Sequence, residues 1–170
     1  MPYKERPDSA SLLLLLVKEP NDLIPKVPLV YDPKRATLYP GQKPFYKWPG
    51  GHFDPDLDRN EEDTAVREGM EETGIHNMFA RDIRKVWEFQ KPSRGGGFHT
   101  VHIFVGCIFR KLILFHPKTG ERMKFFTWEE CQVHPDVLNT HKMYARDKLV
   151  TDAIAECARC VVDNMPGIAL

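Results

Sequence analysis

The 170-residue chain has no excess of charge of either sign, because Lys plus Arg and Asp plus Glu both number 24. A protein that grips long polyanions normally carries a clear basic surplus, so no long nucleic-acid partner is expected. Long hydrophobic runs are missing too. Leu12 to Val17 is apolar, but it is about a third of the roughly 20 residues that a membrane-spanning helix needs, and it reads as a buried strand. Cysteine is scarce: Cys107, Cys131, Cys157 and Cys160 are too few for a disulfide framework in a domain of this length. Cys157 and Cys160 form a C-x-x-C, but no second such pair exists to complete a zinc site. Both lie in a helical pattern, Thr151 to Val162, and are expected to be free thiols on one helix face. The opening residues, Met1 to Ala10, lack the apolar core of a secretory signal. The expectation is a soluble, cytoplasmic protein with no membrane segment, a monomer or homodimer.

Hydrophobic residues at 42% and charged residues at 28% are ordinary globular values, and the length suits one domain over residues 1–170. Ser11 to Val17 is the first expected strand. Glu19 to Pro28 carries two prolines and an Asn-Asp turn signal and reads as a loop, with a second short strand over Val27 to Tyr31. Pro49-Gly50-Gly51 is expected to be a sharp backbone feature, since glycine reaches positive φ cheaply. Asn60 as N-cap and Gly74 as the closing glycine bracket a helix over Glu61 to Thr73. Alternation marks a strand over Asp82 to Gln90, followed by a glycine-rich, basic loop from Lys91 to Gly97. His99 to Phe109 is the strongest central-strand candidate, Leu112 to Phe115 extends the sheet, and Lys124 to Phe126 is a last short strand. Thr127 with Glu130 makes a capping box for a following helix. Helical periodicity then runs from His141 to Val162. Strands interleaved with a few helices indicate an α/β layered domain with a mixed sheet.

The chemistry-bearing segment is Arg67-Glu68-Gly69-Met70-Glu71-Glu72-Thr73-Gly74-Ile75. Residues three and four apart share a helix face, so Glu68 lies one turn from both Glu71 and Glu72. Each like-charged pair costs about 0.2–0.5 kcal/mol on an exposed helix, and the C-terminal half of a helix disfavours negative charge further. Hard divalent cations reverse that sign, because Mg²⁺ and Mn²⁺ prefer oxygen ligands. The bland alternative is a solvated glutamate face, as charge runs usually are.

Pro49-Gly50-Gly51 followed by Arg67-Glu68-x-x-Glu71-Glu72-x-Gly74-Ile75 resembles the Nudix box: glycine, five residues, glutamate, seven residues, then R-E-U-x-E-E-x-G-U with U aliphatic. Three departures stand out. The Gly51-to-Arg67 spacing is two residues longer than the pattern, which places an insertion within Asp54 to Asp58. Arg59 stands where the family has its first glutamate, and Asp58, Glu61 or Glu62 would have to partner Arg67 instead. Gly69 replaces an aliphatic residue, at a helix-propensity cost of up to ~1 kcal/mol.

The resemblance implies a Nudix-type α/β/α sandwich and metal-dependent hydrolysis of a phosphoanhydride bond in a nucleoside diphosphate derivative. It makes Glu68, Glu71 and Glu72 ligands for Mg²⁺ or Mn²⁺, with the Gly51 carbonyl as a supplement and Arg67 holding the carboxylates. The general base it implies is Glu68 or a later acid, of which Glu121 is the better candidate than Glu129 or Glu130. Lys91, Arg94 and the Gly95 to Gly97 backbone are candidates for substrate phosphates. Trp48, with Phe45 and Tyr46, is a candidate for stacking on a nucleobase. The substrate class stays open among ADP-ribose relatives, nucleoside triphosphates, dinucleoside polyphosphates and capped RNA ends. A Nudix-fold nucleotide-binding or regulatory module without catalysis is the alternative.

Overall fold

A computed structural model describes residues 9–18, 24–32, 45–75, 83–93, 95–109 and 123–163. The expected strand at Leu112 to Phe115, Arg94, Glu121 and the side chain of Cys160 lie outside the described residues.

Among the described residues, seven strands form one mixed sheet: β1 (Ser9–Lys18), β2 (Lys26–Asp32), β3 (Phe45–Lys47), β4 (Gly50–His52), β5 (Arg84–Pro92), β6 (Phe98–Phe109) and β7 (Met123–Thr127). Its order is β3-β2-β1-β6-β5, with β4 pairing to β1 and β7 to β2. The β1–β6 ladder is parallel, and the other ladders are antiparallel. A strand covered on both faces reads as a continuous apolar run rather than an alternating one. That is why Leu13 to Val17 are all buried at the centre of the sheet.

Alternate residues of β1 serve different layers. Leu13, Leu15 and Val17 pack with Phe104 and Ile108 against Ala65 of helix α1 (Glu61–Thr73) and against Ile75 just beyond it. Leu14 and Leu16 face the other way, with Ile103, Val105, Trp48 and Phe126. Helices α2 (Trp128–Val133), α3 (Asn139–Ala145) and α4 (Lys148–Asp163) cover that side through Cys131, Tyr144, Val150, Ile154 and Cys157. The result is the expected α/β/α layering. Among the described residues, no helix is long and apolar enough to cross a membrane.

Helix α1 has the expected bounds and caps. Asn60 accepts a hydrogen bond from the Asp63 N–H, and Gly74 closes the helix in the left-handed region at φ 72°. The Thr127–Glu130 capping box forms in both directions. Three expectations need correction. The second strand, expected over Val27 to Tyr31, extends by one residue at each end to Lys26 and Asp32, so the expected loop ends before Lys26, and Pro28 pairs across to Phe125 of β7. Lys91 and Pro92 belong to β5, and the glycine-rich loop is a tight hairpin in which Ser93 N–H bonds to Gly97 O, with Gly96 and Gly97 at positive φ. The C-terminal helical pattern is two helices, because Asp147 starts a new one: its carboxylate accepts the Leu149 N–H at 2.9 Å and its carbonyl accepts the Thr151 N–H.

An N-cap carboxylate of this kind contributes about 1 kcal/mol. Asp147→Ala is therefore expected to lower unfolding free energy by about that amount in a urea titration, with an unchanged m-value.

Candidate active site

The site is built where α1 crosses the end of β1 and β4. Ser11, fully buried, donates its hydroxyl to the Glu61 carbonyl at 2.8 Å and ties the start of the helix to the sheet. Gly51 of β4 is paired with Ser11 in register, so the paired glycines lie beneath the middle of α1.

Gly50 and Gly51 do not form the sharp positive-φ turn expected of them; both lie in a strand with φ outside the left-handed region. Their glycine identity is explained by volume. A Cβ on Gly51 would sit 2.5 Å from Glu68 Oε1 and 2.8 Å from Oε2, inside the carboxylate. A Cβ on Gly50 would overlap the Ser11 carbonyl oxygen and come within 2.9 Å of Leu12 Cα.

Asp58 is the partner of Arg67, which resolves the choice left open among Asp58, Glu61 and Glu62. Arg67 Nε and Nη2 donate to the two oxygens of Asp58, each at 2.8 Å, in a bidentate fork. The Asp58 side chain is 1% exposed and also accepts from Thr64 Oγ1 and from the Asp54 N–H, both at 2.9 Å. The extra residues of the Asp54 to Asp58 segment form a turn closed by Asp58 N–H on Asp54 O at 2.7 Å, which returns the carboxylate under the helix. Hydrogen bonding from Arg67 lowers the Asp58 pKa to about 2 against the cost of burial, and the same pairing raises Arg67. Arg59, in place of the family glutamate, lies on the surface and pairs with Asp63.

The other end of Arg67 reaches the carboxylates. Nη1 donates to Glu68 Oε1 at 2.9 Å and lies 3.5 Å from Glu71 Oε2. Nη2 also donates to the His52 carbonyl at 3.2 Å. Glu72 is held by two groups of the β3–β4 segment: Lys47 Nζ at 3.1 Å and the Gly50 N–H at 3.0 Å. Sequence reasoning missed Lys47, since nothing in local periodicity links it to a helix 25 residues on. Glu68 and Glu72 are thus mostly covered, whereas Glu71 is 59% exposed at the rim.

Other expected site residues are elsewhere. Trp48 is fully buried between His141 and Tyr144, and its backbone N–H donates to His141 Nδ1 at 2.9 Å; it is a core residue with no face free for a base. Lys91 is paired with His99 on the β5–β6 ladder, on the face opposite α1 and three strands across from Gly51. At the usual inter-strand spacing that is roughly 14 Å. It does not join the carboxylates. Glu130 is used by its capping box.

Among the described residues, no three His, Cys, Asp or Glu side chains converge closely enough to hold an ion. The pair that does converge, Glu68 and Glu72, presents hard oxygen donors against two consecutive strand residues. The absent Cβ of Gly51 leaves the room that the Glu68 carboxylate fills. Those donors fit Mg²⁺ or Mn²⁺ and do not suit softer ions that want nitrogen or sulfur.

No family model matches the chain, and no curated protein matches it. Solved structures do, and they give it the fold of the Nudix hydrolases. It is similar to the NUDIX domain of Shewanella oneidensis NrtR complexed with ADP ribose, at 18% identity and TM-score 0.59, over 91% of this chain and 90% of that one. A C. elegans Ap4A hydrolase is similar at 16% identity and TM-score 0.58, over 87% and 98%. The Nudix hydrolase RenU from M. smegmatis is similar at 16% identity and TM-score 0.57, over 93% and 88%. The chain spans 46% of the MutT/nudix family protein from Enterococcus faecalis, which it matches at 21% identity and TM-score 0.51 over 75% of its own length. It spans 64% of the longer NrtR chain.

Two predictions follow from this geometry. A carboxylate whose folded pKa is depressed stabilises the fold above its unfolded pKa, and that contribution is lost as pH falls through the folded value. From 3.8 down to about 2, Asp58 loses a contribution of about 2 kcal/mol between pH ~4 and ~2. Asp58→Asn should remove that acid-sensitive step in pH-dependent unfolding and leave Arg67 less well held. The two glycines should separate: Gly51→Ala displaces only the end of the flexible Glu68 side chain, so melting temperature should change by a few degrees at most. Gly50→Ala meets backbone and should lower melting temperature clearly more, which paired thermal melts would show.

Proposed function

We propose that this chain is a metal-dependent pyrophosphohydrolase acting on a nucleoside diphosphate linked to a second moiety. The observation that carries the reading is the convergence of Glu68 and Glu72 on the Gly50–Gly51 strand, each pinned by a partner outside its own carboxylate set. Glutamates on a merely solvated face would have no such anchoring.

In this reading Glu68, Glu72 and the exposed Glu71 would hold Mg²⁺ or Mn²⁺, with the Gly51 carbonyl as a further oxygen. The chemistry such an ion would supply is neutralisation of phosphate charge and acidification of a water. Arg67 orients Glu68 and Glu71 and, engaged by Asp58, is positioned to act on the carboxylates rather than on substrate. Glu68 is the proposed proton acceptor. The structural neighbours bear on the substrate class: one was solved with ADP ribose, and another is an Ap4A hydrolase. Both ligand names belong to the class of nucleoside phosphates joined through phosphoanhydride bonds.

The decisive assay measures phosphate release from ADP-ribose, dinucleoside polyphosphates and nucleoside triphosphates with Mg²⁺ or Mn²⁺. Turnover of at least one is expected, and Glu72→Gln should reduce it by roughly a hundredfold or more with the fold intact. Ligand binding without turnover under any metal would instead identify a nucleotide-binding module.

A further inference from the structure

Lys47 carries an assignment beyond that reading, although it rests on it. Its ammonium lies 3.1 Å from Glu72 Oε1, on a carboxylate whose other oxygen accepts the Gly50 N–H. The contact is largely shielded: the two side chains are 23% and 14% exposed. Lys47 ends β3, and Gly50 begins β4, so one short segment supplies both donors to Glu72. Glu68 is similarly held by Arg67. Each converging carboxylate is thus paired with a cation of the protein, and among the described residues three acidic groups do not close on one point.

The two cations are not equivalent. Arg67 is itself locked by a buried carboxylate and keeps its place whatever happens to Glu68. Lys47 is instead a compact ammonium on a flexible four-carbon stem, with rotatable donors rather than a planar fork. We propose that Lys47 is an internal counter-ion for Glu72, holding its carboxylate in place before a divalent ion arrives and competing with that ion for the same oxygens. Lys47 is thus a positioning residue that sets how tightly the site takes its metal.

The charge arithmetic gives the size of the effect. A unit charge about 4 Å from a doubly charged ion opposes it strongly enough, even in water-like dielectric, to weaken binding on the order of tenfold. Calorimetric titration of metal-free protein with Mn²⁺ reads this without any substrate. Lys47→Met and Lys47→Gln should each bind Mn²⁺ on the order of tenfold tighter than the unaltered chain, while Lys47→Arg, which keeps the charge, should stay within about twofold. Circular dichroism confirms that each variant is folded, and two neutral replacements guard against one of them failing. Unchanged or weaker binding by folded Lys47→Met and Lys47→Gln, with normal binding by the unaltered chain, overturns the assignment and leaves the hydrolase reading standing. Absence of Mn²⁺ binding in all four proteins overturns the metal reading and this assignment with it.

Discussion

The arrangement of this site depends on one buried ion pair. Asp58 is almost wholly withdrawn from solvent, yet both of its oxygens face the Arg67 guanidinium, and two further donors complete its hydrogen bonding. Taking two charges out of water is costly, and a well-packed apolar pair of similar volume often does as well for stability. The pair's consequence is geometric. A guanidinium fixed on one side by a bidentate fork has a determined direction on its other side, and there it meets Glu68 and Glu71. Removing Asp58 would leave Arg67 without its bidentate fork, tied by its bonds to Glu68 and the His52 carbonyl, and the carboxylates would lose their fixed reference point.

The second constraint is an absence of atoms. Adjacent glycines are usually explained by backbone freedom, but Gly50 and Gly51 occupy an ordinary strand conformation that other residues could adopt. Space decides their identity. Gly51 admits the Glu68 carboxylate onto the sheet, and Gly50 admits β1 at close range while lending its N–H to Glu72. The strand therefore acts as a floor on which the helix sets two of its glutamates, and the register with Ser11 fixes that floor relative to the start of α1.

What was legible in the sequence was local. Helix α1, with Asn60 and Gly74 at its ends, and the Thr127–Glu130 capping box rest on contacts within a few residues, and each could be read from residue type and spacing. The apolar run of β1 was equally plain, because burial on both faces leaves no alternation to misread. The choice of Asp58 over Glu61 and Glu62 was not legible, because it depends on how the Asp54 turn closes on itself. Lys47 was invisible for a related reason: its partner lies across the β3–β4 connection and the following loop, and no periodic pattern spans that distance. Trp48 was misplaced because an aromatic beside a motif looks alike whether it faces a ligand or the core. Its burial against His141 and Tyr144 is a tertiary fact. The break at Asp147 was missed because apolar spacing continues through it, while the cap that restarts the helix is a single side chain.

Charge repulsion along α1 first marked this helix as unusual, but the structure shifts the weight of that argument. Arg67 and Lys47 neutralise much of the repulsion between Glu68 and Glu72, so crowding of like charges is not by itself a demand for a divalent ion. What separates this helix from a solvated acidic face is convergence onto backbone. Glu71, at the rim, behaves as a surface glutamate would, whereas Glu68 and Glu72 are drawn down onto Gly51 and Gly50. Side chains seeking only relief from one another would spread outward into water, where screening weakens their interaction. Arg67, Lys47 and the Gly50 N–H hold them inward on a glycine floor, against the entropic cost of ordering two long side chains. In the proposed reading a hard cation would sit against these oxygens, and a pyrophosphate bound to it would complete the charge balance of the site.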